Sequence, residues 1–378
     1  MHIAILGCRG IPNHYGGFEQ FAQYLSQGLV NNGFTVTVYN THNHPYQEPE
    51  WRGVNIVHCK DPEKSLGTIG QFIYDLNCIM HARKQNYDII YQLGYTSSSI
   101  WGKWLPKNKS IIITNMDGLE WKRSKYSKTV RKFLSLAERL AVKHSDHLIA
   151  DSKGIQEYLF KMYRKKPVYI PYGARVFEYP DLDILAKYEL SPHHYNLLIS
   201  RLEPENSVEC ILDGVQASGL QLPFLVIGNY DTKFGEYIRN KFASLPQIRF
   251  LGAIYDLSTL DNLRYFSRAY FHGHTVGGTN PSLLEAMASE ALICAHDNTF
   301  NRSLLEEDAY YFNDAEEVSR HLLHINKEHP KNRIMIDSNI KKIRTVYSWQ
   351  HIIDQYVRYF REINNPHVEL PSFIHSAE

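Results

Sequence analysis

The chain is poor in cysteine: its 378 residues hold five, Cys8, Cys59, Cys78, Cys210 and Cys294, scattered and never spaced as C-x-x-C. That pattern argues against a disulfide framework and against a cysteine zinc site, and makes a reducing cytosol the expected compartment. Long apolar runs are missing as well; none approaches the roughly 18–20 residues of a spanning helix. Membrane contact is therefore expected only as peripheral association at the inner face. The opening MHIAILGCRG enters a strand pattern at once, with no basic leader and no apolar stretch of signal-peptide length. There is no short-period repeat or low-complexity tract. With 43% hydrophobic and 21% charged residues, the composition is that of a globular chain.

Net charge is nearly absent too, at +1, but that balance hides a division. Residues 1–177 carry 23 Lys and Arg against 13 Asp and Glu; the remainder carries 18 against 27. A basic half suits phosphorylated ligands, an anionic membrane surface or nucleic acid. No nucleic-acid recognition motif accompanies the charge, so nucleic acid is not an expected partner. Eight of the basic residues lie at 122–143 against the single acid Glu138, and KMYRKKP at 161–167 adds four. Interleaved with Phe133, Leu134 and Leu136 on amphipathic helices, they suit an anionic lipid surface, where each is worth about 1 kcal/mol. A solvated helix face is the plainer alternative.

Length favours two domains. Apolar runs of four to six residues alternate with helical patterns almost end to end, the mark of βαβ units and parallel sheets. Strands are predicted at 2–6, 34–39, 54–58, 88–93, 110–114, 147–151 and 167–171, and helices at 18–31, 66–85, 127–144 and 152–163. A crossing with little periodicity runs from Pro171 to about Leu190. A second strand series follows at 195–200, 223–228, 248–253, 269–274, 292–296 and 310–312. The fold class is α/β: two Rossmann-like doubly wound parallel sheets, with residues 1–175 as one domain and 176–347 as the other. SWQHIIDQYVRYF (348–360) opens an amphipathic helix expected to run over 348–364, and the tail from Asn365, with Pro366 and Pro371, is expected to be loosely held. In such a pair of sheets, ligands belong in the cleft beyond the carboxyl ends of the strands.

The most informative stretch is TVGGTNPSLLEAM, residues 275–287. Behind a strand ending at His274 come Gly277, Gly278 and Thr279, then Asn280 as an N-cap, Pro281 in the first helical turn, and Ser282 and Leu283. One reading is a capped helix entered through glycines. The other is an anion site, with free backbone N–H groups and the positive end of the helix dipole facing the cleft, where glycine lets a phosphate or diphosphate come close. Glu285, one turn inside, would repel that phosphate but suits the two hydroxyls of a nucleotide's sugar ring.

Strand, glycine loop and P-S-L-L-E-A-M helix together resemble the donor-binding motif of the family 4 glycosyltransferases of GT-B fold. In that family two glutamates stand eight residues apart and the second holds the nucleotide ribose. Glu285 matches the second, while the first falls on Gly277. FHGHTVGGTNPSLLEAM together with NMDGLEWKR at 115–123 resembles, more narrowly, the bacterial rhamnosyltransferase-like branch, which builds surface polysaccharides. The resemblance spans both domains. It implies a hexosyltransferase that needs no cofactor and no metal, with a nucleoside diphosphate sugar, foremost dTDP-L-rhamnose, as donor. It also implies a lipid-linked or oligosaccharide acceptor, retention of anomeric configuration, and a terminal helix that crosses back to the first domain as a hinge.

The resemblance distributes the remaining roles as well. In RGIPNHYGGFE (9–19), Gly16 and Gly17 let backbone amides approach the donor diphosphate. In SRLEPEN (200–206), Arg201 neutralises the leaving group and Asn206 stands where the family commonly has lysine; Arg9 is a candidate to supply that missing charge. On the strand entering the glycine loop, one of His272 and His274 is expected to reach the phosphate or sugar, with the other facing away by strand alternation. Tyr230 and Tyr255 are candidates to stack on the base. On the acceptor side stand Asp117, Glu120 and Trp121, whose indole face suits sugar C–H groups. Asp117 orients the acceptor hydroxyl, or takes its proton if transfer inverts. The expected catalytic set is Asp117, Arg201 and Glu285, with donors preorganised for developing charge and no carboxylate pair of the glycosidase kind. A D-x-D triplet, Asp181 to Asp183, lies in the crossing and is not expected to hold metal. Two alternatives remain: an NAD-dependent oxidoreductase with its glycine-rich first loop, and a catalytically silent nucleotide-sugar-binding homologue.

Overall fold

The structure is a computed structural model that describes residues 1–14, 16–123 and 126–365. The expected loosely held tail lies, from residue 366 onward, outside the described residues. Eight strands form the first sheet: β1 (His2–Leu6), β2 (Thr35–Thr41), β3 (Glu50–Trp51), β4 (Val54–Cys59), β5 (Ile89–Leu93), β6 (Ile111–Met116), β7 (His147–Ala150) and β8 (Val168–Tyr169). Six form the second: β9 (Asn196–Ile199), β10 (Phe224–Ile227), β11 (Ile248–Gly252), β12 (Ala269–His272), β13 (Ile293–His296) and β14 (Tyr310–Phe312). The strand orders are β3-β4-β2-β1-β5-β6-β7-β8 and β11-β10-β9-β12-β13-β14. All pairings are parallel except β3 with β4.

Both orders reverse direction once, between β1 and β5 and between β9 and β12. At such a switch point the loops diverge to opposite faces and leave a crevice beyond the strand ends. The loops after β1, β5, β9 and β12 carry residues 7–16, 94–98, 200–207 and 273–280, so the switch points bring forward most of the segments singled out from sequence. The strands next to them are apolar on both faces because helices cover both. All five residues of β5 and all four of β10 are buried.

Two differences from the sequence-based elements have clear causes. The helix expected over 66–85 is split into Glu63–Leu66 and Thr68–Ala82 at Gly67, whose φ of 58° breaks the right-handed path. β3 is an antiparallel edge of two residues, too short to show any periodicity.

The terminal helix, Trp349–Asn364, returns to the first domain. Its stripe Ile352, Ile353, Tyr356, Val357 and Phe360 is buried, and each such side chain contributes about 1.5–3 kcal/mol of hydrophobic burial at most. Tyr356 and Tyr91 share a hydroxyl hydrogen bond of 2.9 Å, and Trp349 stacks on Tyr24 with ring centroids 4.5 Å apart. Gly28 of the Gly17–Asn31 helix lies so close that a Cβ there would overlap Ile353.

Candidate functional site

Glu285 sits in the Pro281–Ala288 helix and is gripped from below by a buried arginine. Arg264, at the end of the Leu257–Tyr265 helix, is 1% exposed. Its Nη2 donates to Glu285 Oε2 at 2.6 Å and to Ser282 Oγ at 3.2 Å, and its Nη1 pairs with Asp261 Oδ1 at 2.8 Å. Ser282 and Tyr270 share a further bond of 2.9 Å. Glu285's other oxygen, Oε1, accepts from Gln20 Nε2 at 3.2 Å. Gln20 belongs to the opposite domain, so Glu285 presents an oxygen across the cleft while its charge is balanced beneath. Burial raises the Asp261 carboxyl to about 6 against the pull of Arg264.

The glycine loop above this carboxylate meets the first domain at Asp151, directly after β7. A Cβ on Gly278 would overlap the Asp151 carboxylate, and Thr279 Oγ1 donates to the Asp151 carbonyl oxygen. Gly277, with φ of 144°, has open space where its Cβ would lie. Gly17 approaches Pro281 so closely that a Cβ would stand 3.6 Å from the ring. Asp151 is buried, and desolvation together with the nearby Asp117 carboxylate holds its carboxyl well above the ordinary range.

The first-turn amides of the Pro281–Ala288 helix are less available than the sequence reading assumed. Asn280 caps its helix by accepting from Ser282 N at 2.9 Å, and the Leu283 and Leu284 amides bond to the Asn280 carbonyl. At the Gly17–Asn31 helix, the buried Glu19 accepts from Arg9 N at 2.8 Å. No side chain caps the Gly17–Asn31 helix at Gly16, so its first turn stays open to an anion together with the loop peptides from Val276 to Asn280. Arg9 is also committed elsewhere, in a two-pronged pair with Glu63, and so is not placed to supply the missing lysine charge.

Asn206 is buried, its Nδ2 donating to the Arg201 carbonyl at 2.7 Å. It fixes the loop after β9, and Thr275 N and Oγ1 tie the glycine loop to the Glu205 carbonyl at 3.0 and 2.8 Å. Arg201 itself is exposed at the cleft. Burial first, and then the Arg201 charge and that of Arg123, depress His274 to about 3. The opposite facing expected for His272 and His274 does not hold, because residues two apart on a strand share a face. β12 ends at His272, the chain turns at Gly273 against the Asn206 carbonyl, and the two imidazoles stack with centroids 4.4 Å apart. His272 is fully buried beneath His274, so His274 is the one nearer the cleft.

On the acceptor side, Asp117 follows β6 and lies beside Gly94 at the end of β5. Burial first, and then the Glu120 carboxylate, raise it to about 7. Glu120 accepts from Arg123 Nε at 2.7 Å, and Arg123 Nη1 reaches Glu205 Oε1 across the cleft at 3.7 Å. Trp121 is anchored by its indole N–H to Glu138 Oε2 at 3.1 Å; Tyr158 and Tyr163 donate to that buried acid's other oxygen at 2.8 and 2.6 Å. Tyr230 has Arg239 over its ring at 4.1 Å, and Tyr255 is 74% exposed. The Asp181 side chain caps the Asp183 amide at 3.0 Å. Among the described residues no group of three or more His, Cys, Asp or Glu side chains has a metal-holding arrangement.

Arg264, Gln20, Asp151 and Arg123 are the functional candidates that sequence reasoning missed. Asp151 had one available signal, its position as the last residue of a predicted strand. Where a dinucleotide-binding domain would offer a ribose carboxylate after its second strand, Asn40 instead bonds the Ile11 amide and carbonyl at 3.0 and 2.8 Å.

Residues 1–175 match a family model described as a domain of unknown function (DUF1972). No curated protein sequence matches the chain. Solved structures match along nearly its whole length. Sucrose-phosphate synthase from Thermosynechococcus elongatus has a TM-score of 0.78 at 17% identity, over 96% of this chain and 98% of that one. HepE from Anabaena in complex with UDP-glucose gives 0.75 at 13% identity, over 96% and 99%. An α,α-trehalose 6-phosphate synthase from Burkholderia multivorans gives 0.70 at 14% identity, over 98% and 99%. At such identities the likeness is one of fold, and the fold is GT-B: two doubly wound parallel-sheet domains facing a cleft, with the last helix crossing back.

Proposed function

We propose that the protein is a glycosyltransferase that takes a hexose from a nucleoside diphosphate and adds it to a growing glycan. The observation that carries this reading is Glu285, seated on buried Arg264 and offering an oxygen across the cleft one turn below the glycine loop. A carboxylate held this way is preorganised to accept two hydroxyl hydrogens of a ribose. The loop peptides from Val276 to Asn280, with Arg201 exposed beside them, suit the developing charge of a departing diphosphate. Gln20 and Asp151 give up their contacts when the nucleotide enters. The chain shares its fold with HepE, whose structure holds UDP-glucose, which supports a nucleotide-sugar ligand.

The finer reading keeps dTDP-L-rhamnose as donor, transfer with retention, and a lipid-linked surface-polysaccharide acceptor. It draws on the likeness of FHGHTVGGTNPSLLEAM and NMDGLEWKR to the rhamnosyltransferase-like branch. Support for a membrane approach comes from the Lys128–His144 helix, where exposed Val130 and Leu136 stand among Lys128, Lys132, Arg139 and Lys143. Phe72 and Phe133 pack together beside it at 5.7 Å. No helix of the described residues is long and apolar enough to cross a bilayer.

The test is a thermal-shift survey of nucleotide sugars, followed by transfer from the tightest donor and NMR of the product's anomeric centre. A donor nucleotide that raises the melting temperature in the parent protein and not in Glu285→Gln supports the proposal. Equal shifts in both would remove Glu285 from the site.

A further inference from the structure

A cavity of about 370 Å³ opens beyond the carboxyl ends of β1, β2 and β4, away from Asp117 and Trp121. The segment after β1 gives it Arg9 and His14, the end of β2 and the segment after it give Thr41 and His44, and the segment after β4 gives Asp61 and Glu63. His44 is 2% exposed, and its Nε2 has no hydrogen-bond partner among the described residues. The Tyr46 amide, which can only donate, lies 3.1 Å from His44 Nδ1, nearer than the Tyr46 carbonyl at 3.3 Å. On the nearer contact Nδ1 is the acceptor and the proton sits on Nε2. Burial lowers the ring's basicity and prevails over the carbonyls of Tyr46 and Pro12, which act to raise it, so the ring is neutral. His14 is exposed and packs edge-on against this ring at 4.5 Å, as the movable wall over it.

We propose that this cavity binds one uncharged sugar unit, with His44 Nε2–H donating to a ring hydroxyl and Asp61 accepting from another. A buried N–H without a partner is costly and calls for an acceptor oxygen. Both Glu63 oxygens already accept from Arg9 and Gln71. One Asp61 oxygen accepts from the Glu63 amide at 2.9 Å; the other calls for a donor, and a hydroxyl-rich ligand serves both it and the His44 N–H. Charge gives an anion no advantage: the lining holds two cations, Arg9 and Lys64, against two carboxylates, Asp61 and Glu63, and Arg9 is already paired with Glu63. Every lining side chain carries a polar group, which argues against a lipid chain. The segment that supplies Arg9 and His14 runs straight into Gly17, which faces Pro281 across the cleft. As a sugar site the cavity stands by itself; as the subsite for the acceptor's terminal sugar it rests on the glycosyl-transfer reading.

The test uses the full chain with methyl α-L-rhamnoside, methyl β-D-glucoside and methyl β-D-galactoside as probes, and glucuronate and glucose 6-phosphate as charged comparators. Binding is followed at the His44 imidazole C–H resonance, assigned by its loss in His44→Phe. Expected is a saturable shift with at least one neutral glycoside, weakened about tenfold in His44→Phe and regained in part in His44→Gln, whose amide restores an N–H. All variants should keep the melting-temperature rise given by dTDP or UDP. Failure of every neutral glycoside to shift the resonance, tighter binding of the charged sugars, or unchanged binding in a folded His44→Phe would overturn the proposal. Glycoside binding with no response to nucleotides would leave the sugar site standing and sink the glycosyl-transfer reading instead.

Discussion

At the scale of single residues, the site turns on how buried charge is balanced. Glu285 could be nothing more than the partner of Arg264, since removing one member of a buried ion pair costs about 3–5 kcal/mol. Glu285→Gln separates the two roles, because the amide oxygen still accepts from Arg264 while the carboxylate's second strong acceptor is lost. We expect a variant that folds with a modestly lower melting temperature and binds nucleotide roughly tenfold or more weakly, measured by calorimetric titration. Asp117 gives a pH test. Its carboxyl lies at about 7 in the fold against an ordinary 3.8. The folded protein thus keeps a proton the unfolded chain releases, and this contribution to stability, full below the lower value, is lost as pH rises through the higher one. In Asp117→Asn that loss should vanish, so between about pH 4 and 7 the parent's melting temperature should fall by roughly 2–4 °C more than the variant's. Parallel curves would place the proton elsewhere.

At the scale of elements, glycines set how closely helices and loops approach. Gly28→Leu drives a side chain into Ile353 and should loosen the terminal helix, costing about 1–3 kcal/mol in denaturant unfolding. Gly278→Ala has no room beside the Asp151 carboxylate. It should push the domains apart and weaken nucleotide binding in the same titration. These positions also show what was legible in the sequence. The strand runs, the capped Pro281 helix and the switch-point loops follow from periodicity and turn chemistry, which act over a few residues. Arg264 and Gln20 carried no local signal, because their meaning comes from Glu285, 21 and 265 residues away. His272 and His274 were misread because residues two apart on a strand point to the same face, and their rings do stack. The first-turn amides of the Pro281–Ala288 helix were expected to be free because a sequence shows a cap residue and not which amides it satisfies.

At the scale of the whole molecule, the basic half and the acidic half are the two domains on either side of the cleft. A lipid-linked acceptor would be met on the basic side, where the Lys128–His144 helix exposes Val130 and Leu136 between its lysines. Replacing Lys128, Lys132 and Lys143 by glutamate should abolish sedimentation with anionic vesicles at physiological salt and leave nucleotide binding unchanged; parent protein that stays in the supernatant under those conditions would remove the membrane from the account. The central claim is where the nucleotide lies, and a crystal structure of the protein with dTDP or UDP tests it most directly. The account predicts the ribose hydroxyls on Glu285 with Gln20 displaced, and the diphosphate against the peptides from Val276 to Asn280 beside Arg201. A nucleotide bound elsewhere, with the Gln20–Glu285 and Asp151–Gly278 contacts undisturbed, would contradict it.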